Sequence, residues 1–327
     1  MWDEWLRQAR AAGASDLHLT AGGVPVVRIL GRLRPLSDKP ATDKELAAVV
    51  AALPSWVRDE LARAGEVDCA WTDATGERYR LNIFRQGDNC AAAVRLLQGT
   101  VPDCDSLGLP PALRGQIERR QGLVLVTGPT GSGKTTTLAA LVQEINRTQA
   151  VHIVTLEDPV EYRYEQGLAL IHQREVGRDT KSFASGLRSA LREDPDVILV
   201  GELRDAETIA IALTAAETGH LVLATMHTGD VIGSVNRILE ALPQNQRQVR
   251  SQLAECLQTV VCQRLLPRAD GRGRVAAFEL LVATDALRHL IREGQTHQLA
   301  SYIQMGARQG MTTMEESVRR LRQSGVI

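Results

Sequence analysis

Gly128-Pro129-Thr130-Gly131-Ser132-Gly133-Lys134-Thr135 is preceded by the apolar run 123–126 and leads into the Leu/Ala-rich segment 138–142. That order reads as strand, loop, helix. A triphosphate needs many backbone N–H groups turned inward, which glycine permits, plus a lysine on the β- and γ-phosphates and a hydroxyl on Mg²⁺. Gly128, Gly131, Gly133, Lys134 and Thr135 fill those roles. An ordinary glycine-rich turn is the alternative reading. A strand before it and a helix after it weigh against that alternative.

Outward from the loop, apolar runs at 123–127, 151–156, 197–200 and 221–225 alternate with helical segments, the βα pattern of an open parallel sheet. From residue 286 onward the chain reads as a run of helices. Upstream, Trp2, Trp5, Leu6 and Ala9 recur at helical spacing up to Gly13, and Leu17-His18-Leu19 alternates. Residues 24–36 read as two short strands around Gly31, followed by helices at 43–53 and 56–64 and strands at 78–84 and 91–97. This mixture predicts a small α+β domain of about 100 residues. Residues 99–113 are rich in turn formers and lack periodicity, which predicts a linker able to act as a hinge. The expected division is therefore 1–99, a linker at 100–112, and 113–327.

With 327 residues, 44% hydrophobic and 24% charged, the chain has enough material for two cores. A low aromatic content of 3% suits Leu, Val, Ile and Ala packed between helices and a parallel sheet. The net charge of −1 gives no global attraction to nucleic acid. Cys69, Cys90, Cys104, Cys256 and Cys262 include no Cys-x-x-Cys pair, so neither a zinc ribbon nor a disulfide framework is expected. The acidic start Met-Trp-Asp-Glu-Trp-Leu and the lack of a long apolar run predict a cytoplasmic protein.

Nucleotide hydrolysis also needs a carboxylate near the end of a neighbouring strand. Leu156-Glu157-Asp158-Pro159-Val160-Glu161 and Asp196-Val-Ile-Leu-Val-Gly201-Glu202 each offer one, although acidic residues that end strands are often only loop solubilisers. The strand Gly219-His220-Leu-Val-Leu-Ala-Thr225-Met-His227-Thr228 ends in a histidine on the edge where α/β sheets place ligands. Such a histidine is either a structural hydrogen-bonder or a sensor of the γ-phosphate.

GPTGSGKTTTL, TLEDPVEY, REVGRDTKSFASGLRSALREDPDVILVGELRDAET and GHLVLATMHT together resemble the secretion-superfamily ATPases of type IV pili and type II secretion. ASDLHLTAGGVPVVRILGRL at 14–33 and ALRHLIRE at 286–293 resemble the signatures of the pilus-retraction (twitching-motility) branch. The resemblance spans nearly the whole chain. It implies an α/β fold in which a RecA-like P-loop ATPase core follows a smaller α+β, PAS-like N-terminal domain. It also implies ATP and Mg²⁺ as cofactors. Gly128, Thr130, Gly131, Ser132, Gly133, Lys134, Thr135 and Thr136 would form the phosphate site, with Thr135 and Glu202 as metal ligands. Glu202 would act on water, Glu157 and Glu161 would be the acidic-box carboxylates, and His220 and His227 match the histidine box. Arg80 and Arg95 match family arginines that act on the nucleotide from the N-terminal domain, and a surface ion pair is the alternative for each.

The implied assembly is a homo-hexamer at the inner face of the cell membrane, working on a pilus platform protein, with a paralogous retraction ATPase as a further partner and with neither nucleic acid nor zinc. A nucleic-acid translocase and a weakly hydrolysing regulatory paralogue are the competing readings. Gly201 stands where many other phosphate-loop enzymes carry aspartate, as is usual in the family the chain resembles, and the chain departs from the family pattern at Gly229-Asp230 and at Leu287 and His289. Of the helix at 286–293, the apolar face is expected to pack while Arg288, His289 and Arg292 remain free to act.

Overall fold

The computed structural model describes residues 2–97 and 99–327. The chain divides into two compact units, one running to Thr100 and including Glu161–Arg163, the other made of Val101–Val160 and Tyr164–Ile327.

The first unit runs α1 (Trp2–Ala11), β1 (Asp16–Thr20), β2 (Val26–Ile29), β3 (Arg32–Pro35), α2 (Asp43–Ala52), α3 (Ser55–Ala64), β4 (Glu66–Thr72), β5 (Arg78–Gln86) and β6 (Asn89–Leu96). Its strands form one antiparallel sheet in the order β3-β2-β1-β6-β5-β4. Alternation in β1 buries Leu17 and Leu19, which join Leu46, Val49, Val57 and Leu61 of α2 and α3 in a single core. α2 starts at a reciprocal cap: Glu45 N–H donates to Thr42 Oγ1 at 3.3 Å and Thr42 N–H donates to Glu45 Oε2 at 2.7 Å. Strand β4 was not expected. Its buried Val67 and Cys69 do alternate, but Val67 sits between Glu66 and Asp68 and Cys69 follows Asp68, which hid the pattern.

The second unit continues with α4 (Pro111–Arg114), β7 (Gly122–Thr127), α5 (Lys134–Thr148), β8 (His152–Glu157), β9 (Leu170–Glu175), α6 (Phe183–Ala190), β10 (Val197–Val200), α7 (Ala206–Glu217), β11 (Leu221–Met226), α8 (Val231–Ala241), α9 (Gln246–Cys256), β12 (Leu257–Pro267), β13 (Arg274–Val282), α10 (Asp285–Arg292), α11 (Leu299–Met305) and α12 (Met314–Gln323). Its sheet order is β13-β12-β7-β11-β10-β8-β9, parallel except for the antiparallel edge strand β13. The four predicted strands are the central ones. Because β7 is buried on both faces, Leu123 and Leu125 enter one apolar cluster while Val124 and Val126 enter another, so a continuous apolar run replaces alternation.

The segment expected as a linker is not a free connector. Cys104 and Leu109 are buried in the same cluster as Val124 and Val126, and burial pushes the Cys104 thiol up to about 11. Turn formers let a short segment fold on itself while its few apolar side chains point inward. Helix α10 also differs from expectation. Leu287, Leu290 and Ile291 are buried as foreseen, but Arg288 Nη1 donates to the carbonyls of Ala254 and Glu255 at 2.5 and 2.7 Å, capping the end of α9. Only His289 and Arg292 of the three polar residues are exposed. Among the described residues no helix is long and apolar enough to cross a membrane.

Leu125 is fully buried between the two helical layers. Leu125→Ala is expected to lower unfolding free energy by about 2–5 kcal/mol, read as a lower denaturant midpoint with unchanged slope.

Candidate active site

The glycines of the loop are required by close approach as well as by backbone angle. Gly128 has φ +139° and Gly133 has φ +91°. A Cβ on Gly128 would lie 2.4 Å from the Gln263 carbonyl oxygen, and one on Gly133 would lie 2.8 Å from Gln263 Nε2. A side chain at Gly128 would force the loop off the backbone of β12, and one at Gly133 would displace the Gln263 amide. Gly131, with φ +77°, faces open space, so there the requirement is conformational alone.

Lys134 opens α5 and is nearly buried. Its Nζ donates to the carbonyls of Gly128 at 2.9 Å and Pro129 at 3.1 Å, and lies 3.4 Å from His227 Nδ1. Burial pulls the Lys134 pKa below the ordinary lysine range, opposed by the charge of Glu202. Thr135 and Thr136 follow in the first helical turn, and Thr130 is exposed at the tip of the loop. Ser132 is buried, and its hydroxyl oxygen has no protein partner. Backward-folded glycines, a lysine and an orphaned hydroxyl form a cradle suited to phosphate oxygens.

β7, β11 and β10 start level with one another, because Leu221 pairs with Gly122 and Val197 pairs with Leu221 in unbroken parallel register; β7 and β11 also end level, and β10 stops two residues earlier, at Val200 opposite Ala224. The residues that follow these strands therefore meet at one edge. Glu202, after β10, is mostly buried and lies with Oε1 3.5 Å from His227 Nε2 and Oε2 2.7 Å from Arg204 Nε. His227, after β11, stands between lysine and glutamate. An ammonium only donates, so the neutral imidazole carries its proton on Nε2, facing Glu202. At Gly201, where aspartate stands in many phosphate-loop enzymes, the chains are close: a Cβ would be 3.1 Å from the Leu156 carbonyl oxygen. Thr225 Oγ1 donates to the Gly201 carbonyl at 2.5 Å, fixing the turn into Glu202.

The other sequence candidates are placed less uniformly. Glu157 ends β8, is buried, and accepts from Thr155 Oγ1 at 2.7 Å and Gln173 Nε2 at 3.2 Å. Glu161 belongs to the first unit, where its carbonyl accepts from Arg78 Nη1 at 3.3 Å. Arg80 and Arg95 are register partners across β5 and β6, and each holds an ion pair, Arg80 with Asp68 at 2.6 Å and Arg95 with Asp16 at 3.0 Å. His220 requires a correction. It precedes β11, so it lies a whole strand away from His227, at the edge of the sheet opposite the phosphate loop, with Nδ1 3.0 Å from the Ala215 carbonyl oxygen. It cannot touch a nucleotide on this chain's own loop. Two neighbours of the site went unnoticed in the sequence: Arg204, two residues beyond Glu202, and Gln263, a buried amide in the apolar run of β12.

Residues 89–325 match the Type II/IV secretion system protein family. The chain belongs to this family of secretion ATPases. A type IV pilus retraction ATPase, PilT of Pseudomonas aeruginosa, is 43% identical over 99% of this chain and 94% of its own length. The uncharacterized protein YggR of Escherichia coli is 47% identical over 93% of this chain and 92% of its own. The crystal structure of the pilus retraction motor PilT with bound ADP superposes with a TM-score of 0.91 at 45% identity, covering 99% of this chain and 93% of that one. As a secretion ATPase, the chain is an enzyme, and its α/β architecture of N-terminal unit and ATPase core is that of its relatives.

A lysine whose pKa falls on folding binds its proton more weakly in the folded state. The unfolded chain then holds more protons between the lowered and the ordinary value, and stability rises with pH across that window. Lys134→Met should remove this alkaline rise and leave the nucleotide-free Tm at neutral pH no lower than wild type. It should also abolish the Tm increase that ADP gives, measured by thermal shift.

Proposed function

We propose that this chain is a Mg-ATP hydrolysing motor that drives type IV pilus retraction as a homo-hexamer. The observation that carries the reading is the convergence of Lys134, His227 and Glu202 on one sheet edge, beside glycines that leave room for phosphate. Similarity to PilT along nearly the whole chain supports the cellular role.

In this reading Lys134 and the loop amides hold the β- and γ-phosphates, and Glu202 accepts a proton from the attacking water. The water oxygen bonds to the γ-phosphorus as the bond to the β-bridging oxygen breaks, leaving ADP and phosphate. Thr135 and Glu202 would hold Mg²⁺, which when bound neutralises charge on the phosphates. Glu157 and Glu161 are supporting carboxylates. His227, held between lysine and glutamate, senses the γ-phosphate and passes its loss to the start of α8. Arg80 and Arg95 would leave their carboxylates to reach nucleotide, a role that costs each an exposed ion pair worth about 0–1 kcal/mol. Residues 1–99 act as the PAS-like domain of the ring. The ring works in the cytoplasm against a membrane platform protein, with a paralogous retraction ATPase as a further partner.

The nucleic-acid reading is weaker. Of the basic cluster Arg114, Arg119 and Arg120, Arg114 is already paired with Asp105 at 2.5 Å and Glu144 at 3.3 Å. No aromatic residue stands among the residues from 114 to 120 to stack a base.

Glu202→Gln tests the reading. The expected result is retained ATP binding, a six-subunit mass by light scattering with nucleotide, and ATP turnover reduced by about 100-fold or more. A wild-type monomer without turnover would favour the regulatory paralogue instead.

A further inference from the structure

Cys262, Gln263 and Arg264 are consecutive on β12 and so point to alternating faces. Cys262 Sγ and Arg264 Nη2 both donate to the Gly229 carbonyl, at 3.2 and 3.3 Å, holding the loop that follows His227. Gln263 points the other way, under the phosphate loop. It is only 3% exposed, and an amide buried this deeply in an apolar strand costs free energy unless its polar atoms are engaged. Its Oε1 accepts from Thr137 Oγ1 at 2.7 Å, in the first turns of α5. Its Nε2 lies against Gly133, where a Cβ would be 2.8 Å away, and its backbone oxygen lies against Gly128. A single residue therefore touches the entry glycine, the exit glycine and the helix that the loop feeds.

We infer that Gln263 is a positioning residue for nucleotide binding: its amide locks α5 through Thr137 and supports the exit of the phosphate loop, so that the loop amides converge before ligand arrives. A pre-shaped loop saves the ordering free energy that a slack one would spend on binding. The role is separate from hydrolysis: among the described residues Gln263 is held by Thr137 and the two loop glycines, with no hydrogen bond to Glu202 or His227. The inference rests on the proposed nucleotide site.

Gln263→Met keeps length and volume while removing the amide, and Thr137→Val removes the same hydrogen bond from the other side. Fluorescent ADP titration of each single variant and the double, with circular dichroism to confirm folding, tests the idea. The expected result is an affinity loss of about tenfold for each single variant and no further loss in the double, since the two share one interaction. Turnover at saturating ATP should stay within about threefold of wild type, a KM effect without a kcat effect. Wild-type affinity in Gln263→Met, or losses that multiply in the double variant, would overturn the inference while leaving the nucleotide site standing. Wild-type protein that binds no ADP would overturn the proposed function itself, and this inference with it.

Discussion

The candidate phosphate site depends on β7, β11 and β10 lying side by side in one unbroken parallel register. Parallel strands in unbroken register deliver the residues after their carboxyl ends to one edge, and Lys134, His227 and Glu202 are each within two residues of that edge or one loop beyond it. A slip of one residue in β11 would turn its whole apolar set to the opposite face and carry His227 away from the lysine. The two apolar clusters that sandwich the sheet thus do more than stabilise the unit. They hold the strands, and with them the site, from both faces of the sheet.

Close backbone approach is the second constraint. Gly128 and Gly133 lie against β12, and Gly201 lies against the end of β8. The glycine at 201, where many phosphate-loop enzymes carry aspartate, lies at a tight approach to the Leu156 carbonyl. In the proposed function the carboxylate role falls to Glu202, whose orientation is held by Arg204 and by the Thr225 contact to the preceding carbonyl. Lys134 is folded back on its own loop, bonded to the carbonyls of Gly128 and Pro129, and in the proposed function it exchanges these partners for phosphate oxygens.

Much of this was legible in the sequence where local pattern and chemistry agree. The loop, its flanking strand and helix, and Glu202 follow from glycine spacing and from apolar runs that end in acid. What stayed hidden has a physical reason in each case. β9 is an edge strand with polar residues, and β12 interrupts its apolar run with Gln263 and Arg264, so neither carries a clean period. His220 and His227 look equivalent in a motif, yet a strand between them sends them to opposite edges. Arg288 reads as an exposed basic residue, but the unsatisfied carbonyls at the end of α9 draw it into a cap. Residues 100–112 look like a tether because composition records turns but not which way Cys104 and Leu109 face.

The most direct test of the account is steady-state ATP hydrolysis by His227→Gln beside wild type, with nucleotide affinity measured on the same preparations. If His227 links Lys134 to Glu202 during the reaction, affinity should remain within about threefold while kcat falls by about 100-fold, the range expected for loss of a positioned polar group. Unchanged kcat in this variant would contradict the claim that these three residues form one catalytic constellation.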